Sequence, residues 1–258
     1  MSIHYDYIID TLQRNLPNAQ DENLVFLDFG CGAGHIVEKG VEAGLDFYGA
    51  DPYPRNRSDH YKKEMQSNNV LDQRIMQIKD DILPYPDNHF DAVCTNMVFE
   101  HIPDITMPMS EIKRVLKPGG IFLALFPTRD TWWEGHVNLY FVHWFPAKSK
   151  AMRLYLKVMK HLGLGKKSDG MTANEWSEHY SNYLHDYCFY RTMKDINERW
   201  KVTFDKNPES LACDHMIYRF SKHNRLSFLA PLGKRLIGRF LFPIICHMRG
   251  ARVLLVKG

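Results

Sequence analysis

The sequence predicts an α/β fold built on a doubly wound, mostly parallel sheet, and three observations carry that reading. An apolar run, Leu24-Val25-Phe26-Leu27, ends in Asp28-Phe29 and passes at once into the turn Gly30-Cys31-Gly32-Ala33-Gly34. Such a run is how a parallel strand reads when helices cover both faces of its sheet. A second run, Phe47-Tyr48-Gly49-Ala50, also ends in an acid, Asp51, and is closed by Pro52. Further apolar runs at 90–96 and 121–127 are separated by a stretch in which Ile112, Val115 and Leu116 share a helical face.

With 258 residues, 45% of them hydrophobic, the chain suffices for one ample domain, or one domain with insertions. No apolar run reaches the roughly 18 residues a membrane span needs. The start, Met1-Ser2-Ile3-His4-Tyr5-Asp6-Tyr7, has neither the basic nor the apolar region of a signal peptide, so a cytoplasmic location is expected. Five scattered cysteines form no Cys-x-x-Cys, which suits a reducing compartment and predicts no metal site. The net charge of +3 is unevenly spread: nine of the 33 basic residues follow residue 214, where no acid occurs, leaving 24 against 30 acids before it.

Taken in order, residues 1–23 read as a helix that packs on the sheet or lies over a ligand. Strand one is 24–29, and the helix after Gly34 runs to about Ala43, stopped by Gly44. The glycines allow a sharp turn and a close approach of backbone N–H groups to a ligand. Asp28 can accept hydrogen bonds from a cationic amino group, so acid and glycines together point to a zwitterionic, nucleotide-like cofactor. Strand two is 47–51, and Asp51 at its tip suits paired hydrogen bonds to ribose hydroxyls. A polar helix is expected over 58–68, strand three over 74–79, strand four over 90–96, a helix over 110–116 and strand five over 121–127. Asn96 and Met97 then fall at the carboxyl end of strand four, where open α/β sheets bind ligands.

Asp28, Gly30, Gly32 and Gly34 fill the acid-x-Gly-x-Gly-x-Gly pattern, which resembles the first motif of the class I S-adenosylmethionine-dependent methyltransferases, with a type 11-like domain. A dinucleotide fingerprint would need glycine at 35, which is His35. The segment Asp80-Asp81-Ile82-Leu83-Pro84-Tyr85-Pro86-Asp87, leading to Phe90-Asp91, resembles the family segment in which an acid and the next N–H bind the adenine; Asp80 and Asp81 both remain candidates. The stop Lys117-Pro118-Gly119-Gly120 before strand five is also similar to the family, so the resemblance covers residues 24–127. It implies a Rossmann-like, seven-stranded sheet whose last strand is antiparallel, and S-adenosyl-L-methionine as cofactor. It places Asp28, Gly30, Cys31, Gly32, Gly34, Asp51, Pro52, Asp80, Asp81, Ile82, Asn96 and Met97 at the cofactor.

The family also requires a further helix, set at 191–198, strand six at 201–204 and strand seven at 251–257. Insertions at 128–190 and 206–250 would then both project from the cofactor face and cap the active site. The first is rich in aromatics, among them Trp132, Trp133, Tyr140, Phe141, Trp144 and Phe145, which serve either an acceptor pocket or the core of a cap. Within it 152–160 reads as an amphipathic helix. In the second, Leu232, Leu236, Ile237, Phe240 and Leu241 share one helical face and Arg235 and Arg239 another. Residues 228–246 suit either peripheral contact with anionic membrane at its inner face or simple packing; the stretch is too apolar for a nucleic-acid surface.

Methyl transfer to a hydroxyl needs a base. His101, after strand four, is the first candidate, followed by His136 and His143 in the aromatic insertion, with Glu100 placed to orient an imidazole. The acceptor expected is a small molecule, a saccharide or a lipid-linked intermediate, methylated at oxygen. A nicotinamide-dependent oxidoreductase and a non-catalytic cofactor-binding module are the alternatives.

Overall fold

The computed structural model describes residues 3–16, 23–52, 73–167, 170–222, 244, 247–248 and 252–257. The chain runs α1 (Ile3–Asn15), β1 (Val25–Phe29), α2 (His35–Glu42), β2 (Asp46–Asp51), β3 (Ile75–Gln77) and β4 (Phe90–Asn96). A 3-10 turn (Phe99–His101), α3 (Thr106–Val115) and β5 (Leu116–Phe126) follow. Then come the short strands β6 (Trp133–Glu134) and β7 (Leu139–Tyr140), a 3-10 turn (Val142–Trp144), α4 (Lys150–His161) and α5 (Ala173–Tyr187). The remaining elements are α6 (Met193–Phe204), β8 (Glu209–Ser210), α7 (Ala212–Lys222) and β9 (Arg252–Lys257).

Seven strands form one sheet in the order β3-β2-β1-β4-β5-β9-β8. The neighbours from β3 to β5 are parallel, while β9 runs antiparallel to both β5 and β8. The order reverses at β1 and β4, so the carboxyl ends of these two strands open a crevice.

Strand alternation builds a core on each face. In β5, Ile121, Leu123 and Leu125 join β1's Phe26 and α1's Tyr7, Ile8 and Leu12 on one side. Phe122, Ala124 and Phe126 join Ile112 of α3 and Ile196 and Trp200 of α6 on the other. The segment Lys117-Pro118-Gly119-Gly120 is a bulge within β5 as well as a helix stop: pairing with β4 jumps from Phe90–Leu116 to Ala92–Ile121. Lys117 Nζ anchors it on Asp91 at 2.7 Å.

Strand six requires a correction. Residues 201–204 end helix α6, and the sixth strand is the two-residue β8, Glu209–Ser210. The Val202-Thr203 pair has strand propensity, but Ile196, Trp200 and Phe204 recur every four residues and are buried, whereas Val202 is 86% exposed. Thr192 caps the helix by accepting from the Asp195 N–H, and Asp205 closes it at positive φ. The second insertion therefore begins after Ser210. Its described start, α7, packs on α1, where the Tyr7 hydroxyl donates to Asp214 at 3.0 Å.

The insertion after β5 has its own core. Val137, Leu139, Val142, Met152, Leu156, Trp176, Tyr180 and Leu184 cluster together, with Phe145 and Tyr155 against them. The helix expected over 152–160 is α4, and α5 was not anticipated. Phe141 and Trp144 pack with tilted rings, centroids 4.8 Å apart, and remain partly exposed. The expected helix at 58–68 lies outside the described residues, as does the 228–246 stretch apart from Ile244.

Candidate active site

A cavity of about 830 Å³ opens at the carboxyl ends of β1 and β4. Ten of the predicted residues line it: Asp28, Gly30, Cys31, Gly32, Asp51, Pro52, Asp81, Asn96, Met97 and His101. The adenine-segment alternatives separate, since Asp81 faces the cavity whereas Asp80 and Ile82 are not among its lining residues. Gly34 acts one step back, as the N-cap of α2 at φ +81°.

The glycine turn is tied to β2. The Gly30 N–H donates to the Ala50 carbonyl at 2.7 Å, and the Gly32 N–H donates to the Asp51 carboxylate at 3.0 Å. Gly30 has φ +75°, and a Cβ there would stand 2.5 Å from Val98 Cγ2, so neither the backbone nor the space admits a side chain. Met97 also holds positive φ, +57°, with its N–H on the Leu125 carbonyl at 2.7 Å.

The site is acidic and partly unsatisfied. Burial pushes the Asp28 carboxyl up to about 8, the Cys94 thiol opposing and the Asp51 charge adding to the rise. Asn96 Oδ1 is buried with no hydrogen-bond partner among the described residues. A ligand bringing a cationic amino group would offset both deficits, so these residues fit the zwitterionic end of S-adenosyl-L-methionine.

Two cavity residues, His4 and Tyr5, come from α1, so this helix packs on the sheet and walls the cavity at once. The Tyr5 ring stacks on His35 at 5.9 Å. His4 Nδ1 lies 3.1 Å from His215 Nε2 of α7, and burial lowers these imidazoles to about 4 and about 3.

The three histidine candidates part company. His101 lines the cavity, and its Nδ1 lies 2.6 Å from the Tyr187 carbonyl oxygen. A carbonyl only accepts, so Nδ1 carries the hydrogen and Nε2 is the basic nitrogen. His136 stands beside it, ring centroids 5.0 Å apart and edge to face. His136 Nδ1 donates to Glu134 Oε1 at 2.7 Å, and that carboxylate also accepts from the Tyr190 hydroxyl at 2.5 Å and the Val137 N–H at 2.7 Å. Burial alone would raise Glu134, but the His136 ring and the Tyr190 hydroxyl more than offset it, and the carboxyl sits below its ordinary value. His143 lies apart, lining a smaller cavity of about 240 Å³ with Arg129, Cys188 and Tyr190.

Glu100 does not orient an imidazole as expected. Its Oε1 is 4.0 Å from His101 Nε2, beyond hydrogen-bond range, and burial raises its carboxyl to about 8. The turn bearing Glu100 and His101 is held instead by Arg191. Its Nη1 donates to the Phe99 and Phe189 carbonyls at 2.9 and 3.0 Å, and its Nη2 to Ile102 and Pro103 at 2.6 Å each. Sequence reasoning missed Glu134, Tyr190 and Arg191 because each is a lone polar residue far from any motif.

Residues 27–124 match the family model described as a methyltransferase domain. A ubiquinone biosynthesis O-methyltransferase of Cereibacter sphaeroides is 33% identical over 103 residues, which is 40% of this chain and 41% of that protein. A sterol 24-C-methyltransferase of Aspergillus fumigatus is 33% identical over 106 residues, 39% of this chain and 27% of that protein. The matched part thus spans less than half the length of these curated relatives. Geranyl diphosphate C-methyltransferase from Streptomyces coelicolor A3(2) shares the fold, with a TM-score of 0.50 at 13% identity over 98% of this chain and 76% of that one. With the sheet order, the glycine turn and the acids at both strand tips in place, residues 27–124 are a methyltransferase domain of the class I, S-adenosylmethionine-dependent family.

Proposed function

We propose that the chain transfers a methyl group from S-adenosyl-L-methionine to an oxygen of a small-molecule acceptor of saccharide or lipid-linked type. One observation carries this reading: Asp28, Asp51 and Asn96, which suit the donor, share a single cavity with His101, which suits the acceptor's proton. The bound cofactor supplies a methyl group activated by its sulfonium. In this reading Asp28 and Asn96 hold the amino-acid end, Asp51 the ribose and Asp81 the adenine. The His101 Nε2 takes the hydroxyl proton while Nδ1 stays committed to Tyr187. Ile78, Val98, Ile102 and Pro108, which also line the cavity, suit an apolar acceptor and exclude water. The relatives named for ubiquinone biosynthesis and for sterols support an acceptor of that character.

Residues 128–190 serve as the cap over the acceptor, because Tyr187 and His136 of this insertion meet His101 directly. Their aromatics divide between the cap's own core and the exposed Phe141–Trp144 pair. Nothing in the site favours a nicotinamide cofactor. Among the described residues no helix is long and apolar enough to cross a membrane; in this reading 228–246 docks the chain peripherally on anionic membrane at the cytoplasmic face.

Incubation of the protein with methyl-labelled cofactor and fractionated cell extract tests this. Label in an alkali-stable ether of a lipid or saccharide fraction is the expected result, with kcat lowered about 10²–10⁴-fold in His101→Gln and S-adenosylhomocysteine binding retained. Label confined to protein or nucleic acid would overturn the acceptor class, and an unchanged rate in His101→Gln would remove the base.

A further inference from the structure

Behind the cavity wall, one donor atom each from His101, His136 and Cys188 lie within 4.8 Å of one another. The three come from the turn after β4, the loop between β6 and β7, and the C-terminal end of α5, so no sequence spacing could signal them. We propose that they form a binding site for a divalent cation of the zinc class, set between the cofactor cavity and the cap.

The donor set fits that chemistry. Two imidazoles and a thiolate suit zinc, whose tetrahedral bonds of about 2.0–2.3 Å space the donors roughly 3.5 Å apart. The Cys188 sulfur lies 3.9 Å from the His136 ring at Nδ1, the nitrogen held by Glu134, so the cysteine side chain swings toward Nε2 to close the set. Both imidazoles are built as ligands usually are. His101 gives its Nδ1–H to the Tyr187 carbonyl and His136 gives its own to the Glu134 carboxylate, which fixes each ring with Nε2 as its basic nitrogen. Glu100 lies outside this trio but beside His101. It is 2% exposed, Oε2 has no partner among the described residues, and Oε1 stands 4.0 Å from His101 Nε2. Such an orphaned buried carboxyl oxygen is costly unless something meets it. Access exists, since His101 lines the large cavity and Cys188 the small one.

Binding releases the Cys188 thiol proton to solvent, and coordination uses the same His101 lone pair that would accept a proton from the acceptor. Cation and proton therefore compete for one nitrogen. The site stands on its own geometry, and its test reads metal uptake rather than turnover, so its failure leaves the methyl-transfer reading intact, and the reverse.

The test titrates chelator-stripped full-length protein with Co²⁺, a coloured stand-in for Zn²⁺. The expected result is saturation at about one equivalent with a near-ultraviolet thiolate-to-cobalt band, bleached by Zn²⁺. Cys188→Ser abolishes the band, Cys213→Ser, outside the trio, retains it, and Glu134→Gln weakens uptake about 10–100-fold. Circular dichroism identifies the folded variants. Should Cys188→Ser not fold, alkylation of wild-type Cys188 decides instead, and Zn²⁺ is expected to slow it at least about tenfold. No saturable uptake, a wild-type band in folded Cys188→Ser, or alkylation indifferent to Zn²⁺ would overturn the site.

Discussion

Asp28 is where the chemistry of the site is most concentrated. Its folded pKa of about 8 lies above the ordinary carboxyl value of 3.8, because burial penalises the charge. The sign follows from linkage: the stability this carboxyl supports is complete below about pH 4 and is lost as pH rises towards 8. A cationic amino group beside the ionised carboxylate offsets that loss. S-adenosylhomocysteine should therefore raise the melting temperature more at pH 8.5 than at pH 6.5. In Asp28→Asn the difference should vanish, with affinity lowered at least about tenfold, as scanning calorimetry and titration at the two pH values would show. An equal stabilisation at both would mean that Asp28 does not meet the cation. The acid and its glycines were legible in the sequence because a short contiguous motif encodes them. Glu134, Cys188 and Tyr190 were not, because folding alone brings single polar residues of the insertion after β5 together around His136.

Among the elements, β1, β2, β4 and β5 were readable because each is an apolar run closed by an acid, a turn or a bulge. β8 was not, since Glu209 and Ser210 are both exposed and carry no apolar signal, leaving the Val202-Thr203 pair to imitate a strand. α5 did leave a signal, in its Thr172–Glu175 capping box and the four-residue recurrence of Trp176, Tyr180 and Leu184. The helical assignment of 201–204 predicts that Val202→Asp is tolerated within about 0.5 kcal/mol, because the side chain points to water. Trp200→Ala, two residues earlier, should cost about 3–5 kcal/mol, since this ring is fully buried and stacks on Phe122 at 5.6 Å. Urea unfolding of both variants separates helix from strand; comparable losses would restore the strand. The turn bearing His101 is likewise an element-scale device. Lysine cannot bridge the four carbonyls that Arg191 gathers, so Arg191→Lys should lower kcat while leaving cofactor affinity within about twofold of wild type. Steady-state kinetics beside calorimetry would check it, and an unchanged kcat would show that the clamp does not position His101.

At the scale of the molecule, a parallel sheet provides the crevice, α1 walls one side of it, and the insertion after β5 supplies the residues that meet His101. The cofactor half was legible over 24–127 because its strands, turns and acids follow one another along the chain. The surroundings of His101 were not, because Tyr187 at the end of α5 and His136 in the β6–β7 loop reach it only once these elements have packed. The central claim is that this cavity binds the methyl donor through Asp28, Asp51 and the glycine turn. Isothermal titration of S-adenosylhomocysteine into wild-type protein and Asp51→Ala tests it most directly. The account predicts one site in the wild type and at least about tenfold weaker binding in the variant, which also lacks the carboxylate to which the Gly32 N–H donates. Folded wild-type protein that gives neither heat nor thermal stabilisation with this ligand would contradict it.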